Sequence, residues 1–212
     1  MSRRILIVTA VQAEADAIGK LGDTFVIASG IGRVNAAITT TTSIFTDGPF
    51  EWIINAGVAG SLPESNLQLG DVVIANKCVY AEEGLITSSG FKDMNEMGFS
   101  LGDFEGNTVP VDPWMLERLR SVGTVGSVAT VATCSGTDKQ AYLIQNRTGC
   151  ICEAMEGAAV VHTANRLGAH AIEIRSISNT TGERDAQQWN IDLALSNLGI
   201  AINKAITVLR GE

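Results

Sequence analysis

Two short segments of the 212-residue chain place polar side chains in apolar surroundings, as a reaction centre would. In the first, Glu153-Ala-Met-Glu156-Gly157, an acidic residue follows a methionine where a buried strand is predicted to turn into a helix. The second is an apolar strand that starts at Ile172 and ends in Ser178-Asn179. Because a buried carboxylate costs several kcal/mol unless it is paired or used, we predict that the chemistry takes place where these segments meet.

Glu14 and Arg175 are two further candidates, each with an ordinary structural alternative. Glu14 falls in the first turn of a predicted helix, where a carboxylate also complements the helix dipole, and the same alternative applies to Glu156. An arginine inside an apolar strand needs a ligand or a carboxylate, and Glu156 could be the partner of Arg175. Alternation along the strand gives Arg175 one face in common with Glu173, Ile177 and Asn179.

Two glycine pairs could allow the backbone to approach a ligand: Gly30-Ile-Gly32-Arg33 and Gly57-Val58-Ala-Gly60. Neither pair matches a phosphate loop or a dinucleotide fingerprint. Tight turns between a strand and a helix are the alternative explanation for both pairs.

Strands and helices that alternate along the chain must position these residues, which is typical of α/β architecture. The predicted strands cover residues 4–9, 24–29, 52–55, 71–75, 78–87, 125–133, 149–153 and 171–178. The predicted helices open at the capping-box spacing of residues 9–12 and cover residues 33–45, 138–146, 155–167 and 185–209, with another beginning at 112–113. Residues 88–111 are predicted to form a long loop. Ligands of an open α/β sheet bind beyond the carboxyl ends of its strands, where Glu14, the 57–60 turn, Glu156 and Asn179 are expected.

Composition favours one compact domain over residues 1–212 and excludes several partners. The net charge of −8 argues against a nucleic-acid surface, which needs a basic face. No run approaches the roughly 18 consecutive apolar residues of a membrane span, and the short apolar start lacks a cleavage pattern, so we predict a cytoplasmic protein with no membrane partner. The four cysteines lack a metal or disulfide spacing and the chain has only 2 histidines, so no metal site is predicted.

Taken together, the motifs resemble those of the nucleoside phosphorylase and nucleosidase family over nearly the whole chain. The resemblance is carried by Ala10-Val-Gln-Ala-Glu14, Ser29-Gly30-Ile-Gly32-Arg33-Val-Asn35, Asn55-Ala-Gly57-Val-Ala-Gly60, Leu69-Gly70-Asp71-Val72-Val73, Met155-Glu156 and Arg175-Ser-Ile-Ser178-Asn179. It implies a three-layer α/β/α sandwich around a central mixed, twisted sheet, no cofactor, and a purine nucleoside as substrate. It also implies a homodimer or higher homo-oligomer, with residues 88–111 at the contact.

The resemblance also assigns roles to individual residues. Glu14 would activate the water that attacks the sugar, with Arg175 orienting Glu14 or the water. Met155 and Glu156 would hold the ribose, and Asn179 would meet the purine. The substrate-binding residues implied in addition are Gly57, Val58 and Thr137. Val58 departs from the methylthioadenosine nucleosidases, which place a serine there, so a serine contribution to water positioning is not expected.

Asn179 is the residue that predicts the purine. The nucleosidases that act on methylthioadenosine and adenosylhomocysteine place an aspartate at this position. A 6-oxopurine presents acceptors at O6 and N7, and an amide always offers an N–H donor, whereas an ionised carboxylate offers none. Asparagine therefore favours hypoxanthine over adenine.

The segments around Glu156 and Asn179, with Arg184 and Trp189 beyond them, are similar to those of the futalosine hydrolases within this family. These enzymes release hypoxanthine from futalosine in a route to menaquinone. Arg184 is a candidate to meet the substrate carboxylate, and Trp189 offers an aromatic surface. A loop salt bridge and ordinary helix anchoring are the alternatives for these two residues.

Three other functions stay open from the sequence. An adenine-releasing nucleosidase is disfavoured by Asn179. A phosphorolytic enzyme needs a phosphate site, and no cluster of arginines near the glycine turns is evident apart from Arg33. A nucleoside-binding protein without activity is disfavoured by the presence of both Glu14 and Glu156.

Overall fold

A computed structural model of the protein describes residues 4–211. The strands are β1 (Ile5–Thr9), β2 (Thr24–Ala28), β3 (Trp52–Ser61), β4 (Val72–Tyr80), β5 (Gly84–Thr87), β6 (Gly90–Asp93), β7 (Thr108–Pro110), β8 (Thr124–Thr130), β9 (Cys152–Ala154) and β10 (His170–Thr180). The helices are α1 (Gln12–Ile18), α2 (Arg33–Asp47), α3 (Pro113–Leu119), α4 (Asp138–Thr148), α5 (Gly157–Arg166) and α6 (Ile191–Arg210), and a 3-10 turn covers Arg184–Ala186.

The main sheet has the strand order β10-β4-β8-β9-β3-β1-β2, and β10 also pairs with β3. This second pairing closes β10, β4, β8, β9 and β3 into a ring, with β1 and β2 continuing the sheet outside it. Parallel pairs such as β1–β3 and β10–β3 occur beside antiparallel pairs such as β10–β4 and β3–β9. The α/β class and the mixed sheet are therefore confirmed, but the sheet is barrel-like in part and not the plain layer of a sandwich. Closure is possible because β3 and β10 are long enough for each to pair with different neighbours along its length.

Helix α6 is the longest helix and lies against the sheet and α1. By length and composition alone it could cross a membrane. Its apolar side chains are explained by packing, since one face of the helix is buried: Ala194, Leu198, Gly199, Ala201, Ile202, Ala205, Ile206 and Leu209. A Cβ at Gly199 would collide with the carbonyl of Ala17, so the two helices approach each other closely there.

Several element boundaries differ from those predicted, and each difference has a local cause. Strand β3 runs on to Ser61, so the 57–60 glycines lie inside a strand and not in a turn. Helix α1 starts two residues later than its predicted cap, because the Glu14 carboxylate accepts from the backbone N–H of Val11. Helix α6 starts at Ile191, where the Asn190 side chain caps it, and the predicted start at Asp185 belongs to the 3-10 turn. Residues 84–93 and 108–110 form short strands within or beside the predicted loop.

Candidate active site

Two adjoining cavities lie at the carboxyl ends of β1, β3 and β10. The larger has a volume of about 330 Å³ and is lined by Ala10, Val11, Glu14, Ile31, Val58, Ala59, Gly60, Cys134, Glu153, Ala154, Met155, Glu156, Ser178, Asn179 and Trp189. The smaller, of about 200 Å³, shares Gly60, Cys134, Glu153, Asn179 and Trp189 with it and adds Ser135, Gly136, Arg184 and Gln187. Glu14 and Glu156 line only the larger cavity, so the carboxylate pair marks one end and Arg184 marks the other.

Glu14 is held at the carboxylate end by backbone N–H groups from two strand ends. Its Oε2 accepts from Ala10 N at 2.8 Å and Val11 N at 3.1 Å, and its Oε1 accepts from Val58 N at 2.8 Å. The side chain is 3% exposed, so these bonds and not solvent fix its orientation. A carboxylate held in this way, at the wall of a cavity, is positioned to accept a proton from a water molecule.

Glu156 is the N-cap residue of α5, which agrees with its predicted place at a helix start. Its Oε1 accepts from Gly32 N at 2.9 Å, and its Oε2 lies 3.4 Å from Arg175 Nη2. The N–H of Gly32 is available because the 30–32 glycines adopt positive φ and turn the backbone towards the cavity. Both glycine pairs thus serve the site through backbone geometry.

Arg175 lies behind the cavity and is fully buried among carboxylates and amides. Its Nε donates to Glu173 Oε1 at 2.7 Å, and its Nη2 donates to Asn55 Oδ1. Burial on its own lowers the pKa of Arg175, but Glu173, Glu156 and Glu14 outweigh it and hold that pKa above its ordinary value. One permanent cation therefore stands beside three acidic side chains, which leaves this end of the cavity electronegative when the acids are ionised.

Gly57 supplies the space in which Glu14 and Arg175 meet. A Cβ at this position would lie 2.6 Å from Glu14 Oε1 and closer still to Arg175 Nη1. Gly57 is not part of the lining of either cavity, and the contribution that the structure shows for it is to the packing of the two charged side chains.

Enlarging Gly57 should therefore damage both activity and stability. We expect Gly57→Ala to lower the rate of the base release that the family resemblance predicts at least tenfold, because displacing a catalytic group by about 1 Å costs on the order of 100-fold. The free energy of unfolding should fall by about 1–3 kcal/mol from overpacking. A larger side chain tests whether crowding is the cause. Gly57→Val should lower both the rate and the free energy of unfolding further than Gly57→Ala does. Wild-type turnover in Gly57→Ala would contradict this role.

A β-bulge in β10 determines where Asn179 points. The register with β3 shifts between Ile177 and Asn179, which leaves Ser178 as the extra residue. Ile177 is buried in the core, while Ser178 and Asn179 both line the larger cavity. The prediction that Asn179 shares a face with Arg175 and Ile177 is therefore wrong, because the bulge reverses the alternation.

The amide of Asn179 is oriented by its neighbours. Its Oδ1 accepts from the Ser178 hydroxyl at 2.8 Å, and its Nδ2 donates to the Thr180 carbonyl at 2.9 Å. An amide nitrogen carries two hydrogens, so one N–H remains for a ligand in the cavity.

Glu153 is a buried site residue that the sequence analysis quoted but did not assign. It is 4% exposed and accepts two bonds of 2.6 Å from Ser135, one from the backbone N–H and one from the hydroxyl. Burial raises the pKa of the Glu153 carboxyl, and the bonds from Ser135 oppose that rise. Its proximity to Asn179 depends on the pairing of β9 with β3, for which the sequence contains no signal.

Arg184 and Trp189 stand together at the end remote from Glu14. The Arg184 guanidinium lies 4.7 Å from the centre of the Trp189 ring, and both side chains donate to Gln187 Oε1. Gln187 in turn donates to the carbonyls of Ser135 and Gly182. Gln187 thereby ties this segment to the loop before α4, a role that its sequence context did not indicate.

Thr137, like Gly57, is a predicted substrate-binding residue that lines neither cavity. It is exposed, and its hydroxyl accepts from Gln140 N as the N-cap of α4. The residues just before it, Cys134 to Gly136, form the cavity wall instead. Cys134 lines both cavities.

Comparison with known proteins agrees with this geometry. The model of the phosphorylase superfamily matches residues 14–211. The chain belongs to the phosphorylase superfamily. The predicted family is thus confirmed, and its members supply the comparisons that follow.

Relatives within the superfamily include futalosine hydrolase from Streptomyces coelicolor, which is 31% identical over 97% of this chain and 96% of its own length. The 5'-methylthioadenosine/S-adenosylhomocysteine nucleosidase of Staphylococcus epidermidis is 28% identical over 76% of this chain and 72% of its own length. The native structure of futalosine hydrolase from Helicobacter pylori superposes with a TM-score of 0.79 at 18% identity, covering 96% of this chain and 97% of that one, and supports the fold. These relatives are hydrolases and nucleosidases by name, so the predicted enzyme class is confirmed.

Proposed function

We propose that this protein hydrolyses the N-ribosyl bond of futalosine, releasing hypoxanthine and dehypoxanthine futalosine in a route to menaquinone. The observation that carries the proposal is the placement of Glu14 and Glu156 in the lining of a cavity that Asn179 also lines, on the side shared with the second cavity. The identity to futalosine hydrolase over nearly the whole chain supports the same substrate.

The carboxylate end suits a sugar that becomes cationic. Breaking an N-ribosyl bond builds positive charge on the ribose ring, and fixed negative charge stabilises such a state most when water is excluded. Glu156 accepts hydrogen bonds from the ribose hydroxyls, Met155 packs on the sugar, and Glu14 takes a proton from the attacking water. Arg175 is a positioning residue. From behind the cavity, its Nη2 pairs with Glu156 and its Nη1 donates to the Val58 carbonyl at 3.4 Å.

The opposite end suits a departing purine that gains electrons. The free N–H of Asn179 donates to N7 or O6 as the base leaves, and one well-placed donor to developing charge is worth about 3 kcal/mol. Arg184 and Trp189 close this end, where they are available to the substrate carboxylate and to an aromatic ring respectively.

Water is favoured over phosphate as the attacking group. Among residues 4–211, no lysine or arginine lines the larger cavity, and Arg33 is paired with Glu83. A phosphorolytic enzyme would have to bind phosphate beside Glu14 without a lysine or arginine in the cavity lining. An adenine-releasing nucleosidase is the second candidate function, favoured by the Staphylococcus epidermidis relative and disfavoured by the amide at 179.

Product analysis tests the substrate directly. The protein is incubated with futalosine and with methylthioadenosine, and free bases are separated by chromatography. We expect hypoxanthine from futalosine in phosphate-free buffer. Asn179→Asp should lower hypoxanthine release about 100-fold, because the ionised carboxylate has no donor for the leaving base.

The matched control is Asn146→Asp, which makes the same change of charge at an exposed position on α4 and should leave the rate unaltered. Release of adenine without hypoxanthine, or a requirement for phosphate, would contradict the proposed activity.

We propose a homo-oligomer and a cytoplasmic location. Exposed apolar side chains on and beside α2 support a protein contact next to the cavity: Ile31, Val34, Ile38 and Phe45. A light-scattering mass of a single chain would contradict the oligomer.

A further inference from the structure

Glu153, Gly60 and Asn179 form a row across three neighbouring strands. Gly60 of β3 pairs with Glu153 of β9 on one side and with Asn179 of β10 on the other. Residues paired across strands project to the same face of a sheet. All three residues line both cavities, which agrees with a shared face.

The middle of this row has no side chain, because glycine at position 60 lets the Asn179 amide and the Thr181 methyl lie over its backbone. A Cβ at Gly60 would lie 3.1 Å from Asn179 Nδ2 and 2.9 Å from Thr181 Cγ2. Neighbouring strands lie roughly 4.8 Å apart, so the backbones of Glu153 and Asn179 are about 10 Å apart. A flat heterocycle with a hydrogen bond at each edge spans such a gap.

Glu153 faces this gap with acceptor capacity to spare. Each of its oxygens accepts one bond from Ser135, and an ionised carboxylate has about four lone-pair sites. Both bonds are donated to Glu153 and stabilise its ionised form, in opposition to the burial that raises the pKa of this carboxyl. The mechanism at the sugar makes no use of this carboxylate.

We propose that Glu153 accepts the N1–H of a 6-oxopurine base while Asn179 donates to the other edge of the same base. The inference rests on the proposed function and names the group that distinguishes its substrate. Hypoxanthine carries a hydrogen on N1, whereas N1 of adenine is a lone pair that an ionised carboxylate repels. Glu153 is thus a specificity-determining residue, selecting against adenine as well as for hypoxanthine.

The competing explanation is that Glu153 only anchors the loop at Ser135. Substitution by glutamine separates the two explanations. The glutamine amide oxygen takes the place of Oε1 and still accepts the Ser135 N–H, and the amide nitrogen takes the place of Oε2. The site would present an N–H where it presented an acceptor. A ligand with a lone pair at N1 gains from this exchange, and a ligand with N1–H loses.

The experiment measures the affinities of free hypoxanthine, 1-methylhypoxanthine and adenine by calorimetry, for wild type, Glu153→Gln and Ser135→Ala. Wild type should bind hypoxanthine at least tenfold more tightly than either other base. Glu153→Gln should reduce the ratio of hypoxanthine to adenine affinity by about 100-fold, with adenine binding more tightly than to wild type. Ser135→Ala removes the hydroxyl bond to Glu153 but keeps the carboxylate as an acceptor, so the order of the three affinities should stay that of wild type.

Three results would overturn the inference. They are equal wild-type affinities for hypoxanthine and 1-methylhypoxanthine, an affinity ratio in Glu153→Gln within threefold of wild type, and parallel losses in Glu153→Gln and Ser135→Ala. The 1-methylhypoxanthine comparison uses wild type only, so it decides the matter even if a variant fails to fold. Futalosine cleavage by wild type is assayed separately, and hypoxanthine release with an unchanged ratio would remove this inference while leaving the proposed function in place.

Discussion

Glu14→Gln is expected to lower the rate of base release by about 100- to 10,000-fold, the range that a positioned general base supplies. Glutamine has nearly the same shape, but its amide cannot take a proton from water. Glu14 also accepts three backbone N–H bonds, so an amide nitrogen in its place must face at least one donor. A loss of roughly 1 kcal/mol in the free energy of unfolding should accompany the loss of rate.

The measurement is single-turnover release of hypoxanthine from futalosine, with substrate affinity determined separately. Affinity should change far less than rate, since the group acts on the attacking water and not on the bound substrate. Asp16→Asn is the matched control, because Asp16 is an exposed carboxylate on the same helix. Turnover within tenfold of wild type would remove Glu14 from the proposed mechanism.

Arg175→Met is expected to have the largest effect on stability. The guanidinium is 1% exposed and offsets Glu173 and Glu156, both of which are also buried. Removing one partner of a buried charge cluster leaves its opposite charges uncompensated, which costs about 3–5 kcal/mol. Denaturant unfolding measures this loss as a lower midpoint at an unchanged slope.

A second substitution and a surface control sharpen this prediction. Adding Glu173→Gln to Arg175→Met removes one of the uncompensated charges and should recover part of the lost stability. Arg120→Met breaks an exposed ion pair with Glu117 and should change the free energy of unfolding by less than about 1 kcal/mol. If Arg175→Met were as stable as Arg120→Met, the cluster would not stabilise the fold.

Much of the site could be predicted because its members lie at the ends of recognisable elements. Glu14 follows β1, and Glu156 starts the apolar helix α5. Both positions could therefore be predicted from the strand-to-helix turns in the sequence. The partner of Arg175 was also foreseen in kind, since an arginine within an apolar strand needs a carboxylate. These inferences depend only on local patterns.

The rest depends on which strands pair and in which register, and local patterns do not contain that information. Closure of the ring requires β10 to pair with both β3 and β4, which no spacing in the sequence indicates. Glu153 could not be assigned because β9 is only three residues long and its neighbour β3 was predicted to stop at Asn55. The start of α6 was missed because the capping-box spacing at Asp185 competes with the pairing of Trp189 with Asn179.

The extra residue in β10 has a consequence for how specificity can change. Before Ser178, the odd-numbered residues of the strand, Arg175 among them, face away from the cavity. After Ser178 the alternation is reversed, and Asn179 faces the cavity. Deleting Ser178 would restore the original phase and turn the amide into the core. The base would then lose its hydrogen bond to Asn179, although the chain would still contain every polar group of the cavity wall except the Ser178 hydroxyl. Recognition of the base is therefore set by the parity of this strand as well as by the identity of residue 179.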